Sequence, residues 1–417
     1  MSASHNVKYS SSMMSLARGA GAIPMALMSV GLLGAQAPAK PSLCVEVLVP
    51  AIIKVPLCAT ISTLNRPLHP VLRGVAPGGG MGAGIVYDAP LGIRWHAGGA
   101  ATVTAREYWS GEVGAGYRGA RAAVQTYARL RDMRQLSFFG LGPESDRTDH
   151  TDFRLQDRVV GALASVRATP WLTIGGRLEG SWPEVGSGHS SKLPSIEARF
   201  DEPDTPGLTS QPRQIRYQGS IDIQVPAAIG EALYQGAKYR IAYAVFSDQE
   251  LDRFSFRRLD LEAQQRFGLF GPHRRLTLHG WVSITSTDAG QEVPFYLQPT
   301  LGGKWNLQSV HEDLIGSDGT QATLRGFRNF RFRDRNLLLL QAEYRIPLWG
   351  PVDATVFADA GKVTNRRADL GLADLQHNFG FSLSVMRGPA TAARVDVGLG
   401  GEEGVQLFFT VHREVVP

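Results

Sequence analysis

The chain has 417 residues, 43% hydrophobic and 19% charged, with a formal net charge of +5 and a mean hydropathy of −0.11. That hydropathy excludes a bundle of membrane-spanning helices, and the small, diffuse charge leaves no nucleic-acid footprint. The 47 glycines and 24 prolines lie along the whole chain, a composition of strands and turns rather than long helices.

The N-terminus reads as an export signal over residues 1–39. Lys8 and Arg18 give a positive region, Gly21–Ala37 an apolar core too short and glycine-rich to span a bilayer, and small residues favour cleavage after Ala39. Cys44 and Cys58 follow the signal. In an oxidising periplasm they pair as a disulfide or stay as two buried thiols, and the sequence leaves both readings open. Residues 40–78 are proline-rich and read as a short irregular periplasmic segment.

From Gly79 to the C-terminus, residues 79–417, the chain alternates apolar and polar residues in segments separated by turns. In Ile215–Val225, Arg216, Gln218, Ser220, Asp222 and Gln224 fall on one parity, and Tyr217, Ile221 and Ile223 on the other. Side chains on a strand point alternately to opposite faces, so one face is apolar and the other polar. About sixteen such segments are expected, near 80–88, 91–104, 106–119, 121–134, 151–168, 171–182, 212–226, 236–248, 253–268, 273–286, 292–302, 335–348, 352–363, 376–388, 391–400 and 403–414. Many are longer than strands of soluble sheets. The fold class they predict is all-β: a transmembrane antiparallel β-barrel, in which closure pairs every backbone group inside the bilayer. Tyr108, Trp109, Trp171, Trp182, Phe295, Tyr296 and Trp349, near segment ends, fit interfacial girdles.

Short links such as 167–170 and 271–273 alternate with long ones at 135–150, 183–211, 286–291, 303–334 and 364–375. The longest ends in five arginines, Arg325, Arg328, Arg331, Arg333 and Arg335, followed after Asn336 by Leu337–Leu340. Most basic runs are solvated faces. Here the next two segments supply partners. Glu343 shares parity with Gln341 and Arg345, and Asp359 with Asp353, Thr355, Phe357 and Gly361, so both carboxylates face the lumen. An inward-folded extracellular loop would bring Arg325 to both, with Gly326 providing a tight turn at its tip.

Several motifs carry a resemblance. "LRGF" (Leu324, Arg325, Gly326, Phe327) resembles the V/I-R-G-F/Y motif on the sixth extracellular loop of the BamA/TamA family, the outer-membrane assembly factors also called bacterial surface antigens. "FADAG", with Phe357, Asp359 and Gly361, is similar to that family's F-x-D-x-G strand. "FFGLG" (Phe138–Gly142) with "TDHTDFRL" resembles a loop-to-strand passage in it, and "GEEGVQLFFTVHR" its closing strand. The resemblance implies that Arg325 takes the loop-arginine role inside the barrel, Asp359 the aspartate role and Glu343 that of supporting acid. It implies insertion or translocation of proteins at the bacterial outer membrane. The seam would lie between a first strand near Met81–Asp88, weakened by Gly82 and Gly84, and a last strand near Val405–Arg413 that carries Phe408.

The implied partners are outer-membrane lipid, unfolded outer-membrane or secreted client proteins and a separate POTRA-bearing protein, since residues 40–78 have no room for a complete POTRA module. No catalytic, cofactor or metal motif stands out, so the chain does not read as an enzyme. "GSGHS" (Gly186–Ser190) is no nucleophile elbow, and "HED" (His311–Asp313) reads as solvated loop. Two other functions fit an alternating barrel: an anion-biased pore for small solutes, and a surface structural antigen acting through its long loops.

Overall fold

The computed structural model describes residues 67–227, 234–270, 273–303, 323–387, 390–401 and 403–411. The expected export signal, Cys44, Cys58, most of the 40–78 segment and His311–Asp313 lie outside these residues, as does an N-terminal unit, Met1–Ala59. Everything below belongs to the second unit, Thr60–Pro417.

Its strands are β1 (Leu68–Arg73), β2 (Gly82–Pro90), β3 (Trp95–Thr104), β4 (Trp109–Arg118), β5 (Ala122–Phe138), β6 (Thr151–Thr169), β7 (Leu172–Ser187), β8 (Gln214–Val225), β9 (Tyr234–Asp248), β10 (Phe256–Gly268), β11 (Arg275–Ser286), β12 (Thr300–Leu301), β13 (Phe332–Arg333), β14 (Asn336–Trp349), β15 (Val352–Thr364), β16 (Gln376–Arg387), β17 (Ala390–Leu399) and β18 (Gln406–Val411). Sixteen form one sheet in chain order, every neighbour antiparallel, while β12 and β13 form a separate two-stranded sheet. This is an antiparallel transmembrane barrel. Short turns such as Gly350–Pro351 join strands at one end, and long loops at the other.

The two-residue period builds the wall as expected. Outward-facing Tyr217, Ile221, Ile241, Tyr243, Phe381 and Leu383 are all between 42% and 51% exposed, whereas inward Arg216, Ser220, Ser382 and Ser384 are buried. An apolar outer belt of this extent is what a hydrocarbon environment selects. The leucine run obeys the same rule. Leu337 and Leu339 turn inward into a core with Trp281, Leu301, Leu324 and Phe327, while Leu340 turns out and is 37% exposed.

Sixteen strands were expected and sixteen form the wall, but two memberships differ. Segment 292–302 is not a wall strand. It holds a 3-10 turn, Phe295–Leu297, and the short β12. Val293, Phe295, Tyr296 and Leu301 are all buried, as are polar Gln298 and Thr300, so this stretch is enclosed on both faces and packs inside the barrel mouth. In its place β1 opens the sheet before Gly79, in the segment read as irregular. It is six residues long with Pro70 inside it; its burial alternates, with Leu68 and Leu72 exposed and His69 buried, but so short a run around a proline is a faint strand signal in the sequence.

The first strand of the seam is therefore β1 rather than Met81–Asp88. Gly82 and Gly84 sit on β2, laddered to β1 on one side and β3 on the other. Their missing side chains admit β3: a Cβ would lie 2.2 Å from the Val103 carbonyl at Gly82 and 2.5 Å from that of Ala101 at Gly84. The last strand is β18, as expected, with Phe408 8% exposed. Among the described residues no ladder joins β1 to β18.

The girdle assignment also divides. Trp109, Trp171, Trp182 and Trp349 are between 40% and 68% exposed on the outer surface. Tyr108, Phe295 and Tyr296 instead belong to an enclosed core with Met133, Phe138 and Phe153.

Candidate functional site: an arginine latch inside the barrel

The described end of the long loop, Thr323–Asp334, folds inward as the sequence suggested. Arg325 is 0% exposed. Its Nε donates to Asp359 Oδ2 at 2.9 Å, its Nη2 to Asp359 Oδ1, and its own backbone N–H to Asp359 Oδ2 at 3.1 Å. Nη1 donates to Glu343 Oε1. The guanidinium carbon lies 3.5 Å from the centroid of the Phe357 ring. One fork thus grips two carboxylates on adjacent strands while its face stacks on an aromatic ring, an arrangement that lysine cannot reproduce.

The acids have further partners that sequence reasoning missed. Asp359 also accepts from Gln341 Nε2 and Asn378 Nδ2, both at 3.0 Å. Glu343 accepts from Arg394 Nη2 at 2.9 Å and Nη1 at 3.2 Å. Arg394 Nε donates to Asp396 Oδ1 at 2.7 Å, and Ser382 Oγ donates to the same oxygen at 2.7 Å. Arg325 Nη1 is itself 3.7 Å from Asp396 Oδ1. Two guanidinium groups and three carboxylates from the loop, β14, β15 and β17 therefore form one enclosed network. A signal existed: Arg394 and Asp396 share inward parity in "ARVDVGL", as Asn378 and Ser382 do in "QHNFGFSLSVMR".

The surrounding glycines explain the motifs. Gly361 leaves room for plug residue Leu301, whose Cδ1 would be 3.0 Å from an added Cβ. At Gly398 a Cβ would fall 1.9 Å from the Arg325 carbonyl oxygen, so the latch backbone rests directly on β17. Gly326 sits in the tight turn expected of it, closed by the Phe327 N–H donating to the Leu324 carbonyl at 3.2 Å, but its φ is not in the left-handed region; the missing side chain clears Asn378, whose Cβ would lie 2.5 Å from an alanine methyl. Phe327 is 4% exposed and meets Phe332 edge-on at 5.2 Å.

Three of the other arginines fasten the loop to its neighbours. Arg331 donates to Ser145 Oγ at 2.8 Å and to the Ser145 carbonyl at 2.6 Å, and its Nε lies 2.7 Å from Glu403 Oε1. Arg333 donates to the Phe295 carbonyl at 2.6 Å amid the Phe138, Phe295 and Phe330 rings. Arg328 Nη1 sits 3.3 Å from His150 Nδ1. Burial, then Arg328 and Arg331, push His150 down to about 4, which keeps the ring neutral and able to accept. The "FFGLG" stretch docks here too: the Gly142 N–H donates to the Arg333 carbonyl at 2.8 Å, with Gly140 and Gly142 both at positive φ. The four motif stretches, far apart in sequence, thus converge on one plug.

No protein-family model matches the chain, and no curated protein matches it significantly. Solved structures do. The barrel is similar to BamA from Haemophilus ducreyi lacking POTRA domains 1–3, with a TM-score of 0.55 and 12% identity over 82% of this chain and 67% of that one. It is similar also to CdiB from Escherichia coli, with a TM-score of 0.53 and 10% identity over 83% of this chain. The match spans 62% of the CdiB chain, less than two thirds of its length. At these identities the likeness establishes the barrel fold.

Proposed function

We propose that this protein is a bacterial outer-membrane barrel that helps insert or translocate other proteins. The observation that carries the reading is the latched plug beside an unladdered seam. Arg325 closes on Asp359 and Glu343 within the lumen, while among the described residues no ladder joins the edge strands β1 and β18. An opened edge exposes unpaired N–H and C=O groups on which an incoming strand can pair. The likeness to BamA and CdiB supports the same reading, as does the sequence pattern of an export signal. Outer-membrane lipid and unfolded protein clients are the partners it implies, with no catalytic chemistry.

The solute-pore alternative is disfavoured by what fills the mouth. Phe138, Phe153, Phe295 and Phe330 form a dense core continuous with the plug, not a hydrated constriction. The antigen alternative is disfavoured because loop residues Ile196 and Leu208 turn inward to that core.

The test is reconstitution in lipid vesicles with an unfolded small outer-membrane barrel as probe client. The protein should accelerate folding of the client, and a cysteine pair oxidised across β1 and β18 should abolish the acceleration reversibly. Equal rates with and without the protein would reject the assignment.

A further inference from the structure

The hairpin β17–β18 forms one lip of the seam, and two neighbours can hold it. The first is β1. Asp88 N–H donates to the Pro67 carbonyl, and pairing continues from Leu68↔Tyr87 to Arg73↔Gly82. Backbone direction alternates along an antiparallel ladder, so His69, Val71 and Arg73 turn their groups to β2, whereas Leu68, Pro70 and Leu72 turn theirs to the seam. Proline has no N–H. The seam edge of β1 thus offers donors at Leu68 and Leu72 and none between, while Gln406–Val411 contains no proline.

The second neighbour is the plug. The Arg325 carbonyl rests on Gly398, and the Phe327 ring lies against Gly401, where a Cβ would meet it at 2.6 Å. Between β17 and β18, Glu403 accepts from the Arg328 N–H at 2.6 Å and pairs with Arg331 Nε at 2.7 Å. The Glu403 side chain is 3% exposed and that of Arg331 9%. Removing one partner of an enclosed ion pair strands the other, which makes this contact costly to break.

We infer that the plug loop, through Glu403, is what holds the β17–β18 hairpin at the seam, and that β1, blunted by Pro70, contributes the smaller share. The plug and the seam are then one device: withdrawing the loop frees the edge strand. Its use in admitting a client rests on the proposed assembly function, but the clamp is testable without a client.

Amide hydrogen exchange on the full chain in lipid nanodiscs decides it. Glu403→Ala and Glu403→Gln should raise exchange across Gln406–Val411 about tenfold, and Arg331→Lys by less, with β14 and β15 within about twofold of the parent. Pro70→Ala, which restores the missing donor, should slow the same amides by only a fewfold, in keeping with one modest hydrogen bond. Heat-modifiable mobility on gels verifies that each barrel is folded, and Glu403→Gln preserves side-chain shape should the alanine variant not assemble. The clamp is overturned if β18 exchange in folded Glu403→Gln and Arg331→Lys barrels stays within about twofold of the parent, or if Pro70→Ala protects β18 more than the Glu403 changes expose it. Client folding is scored separately on the same variants, so failure of the assembly function leaves the exchange result standing.

Discussion

Arg325 lies flat on Phe357 while its edge holds Asp359, two strand positions further along β15. Both contacts come from one inward face of one strand, so the ring and the carboxylate are set at a fixed spacing by the pleat alone. Lysine offers neither the fork nor the planar face. Arg325→Lys should therefore behave nearly like Arg325→Ala, each destabilising the plugged barrel by about 3–5 kcal/mol where a buried partner is stranded. The temperature at which the folded gel band is lost reports it. Near-parental behaviour of the lysine variant would show that charge alone suffices.

The two acids are not equivalent. Asp359 accepts from the Arg325 backbone, its guanidinium, Gln341 and Asn378, whereas Glu343 is shared between Arg325 and Arg394. Asp359→Asn should lower the unfolding temperature more than Glu343→Gln. The reverse order would place the centre of the network on β14 instead of β15.

Gly398→Ala should release the latch without touching any charge, because the added methyl would occupy the position of the Arg325 carbonyl. Backbone cannot swing aside as a long side chain can. The expected signature is increased tryptic cleavage within Thr323–Arg335, with barrel strands still protected.

Burial pushes the Asp334 carboxyl up to about 6, against the lowering influence of the Arg335 N–H. An acid whose folded value is raised binds its proton more tightly when folded, so stability rises as pH falls from 7 through 6 toward the ordinary range near 4. Asp334→Asn should remove that rise and stabilise the barrel at pH 7. Parallel pH–stability curves for parent and variant would contradict it.

In planar bilayers the parent should show small, flickering conductance, since the core around Phe138 and Phe295 fills the mouth. Arg325→Ala should increase the size and duration of the openings. A steady large conductance in the parent would revive the pore.

Much of this was legible in the alternation of polarity. The period of two placed Glu343 and Asp359 on the lumen side, and the arginine loop followed from their facing one cavity. The same period carried Arg394 and Asp396, which were overlooked because a single arginine and aspartate within a valine-rich strand look like ordinary wall. At β1 it had only six residues around Pro70 to act on, and it could not exclude segment 292–302, where Val293, Phe295, Leu297 and Leu301 fall on one parity as on a wall strand yet pack in the interior. The role of Gly326 was also hidden, since a glycine required for clearance and one required for left-handed backbone are the same letter.

The central claim is that Arg325 and Asp359 are locked together inside a lipid-embedded barrel. A double-mutant cycle on Arg325→Ala and Asp359→Asn, read as the midpoint of heat-modifiable unfolding in extracted membranes, tests it most directly. We expect the pair to be coupled by about 1–3 kcal/mol, so that the double variant loses less than the sum of the two single losses by that amount. Strictly additive losses would mean that the two side chains do not meet, and the latch would be contradicted.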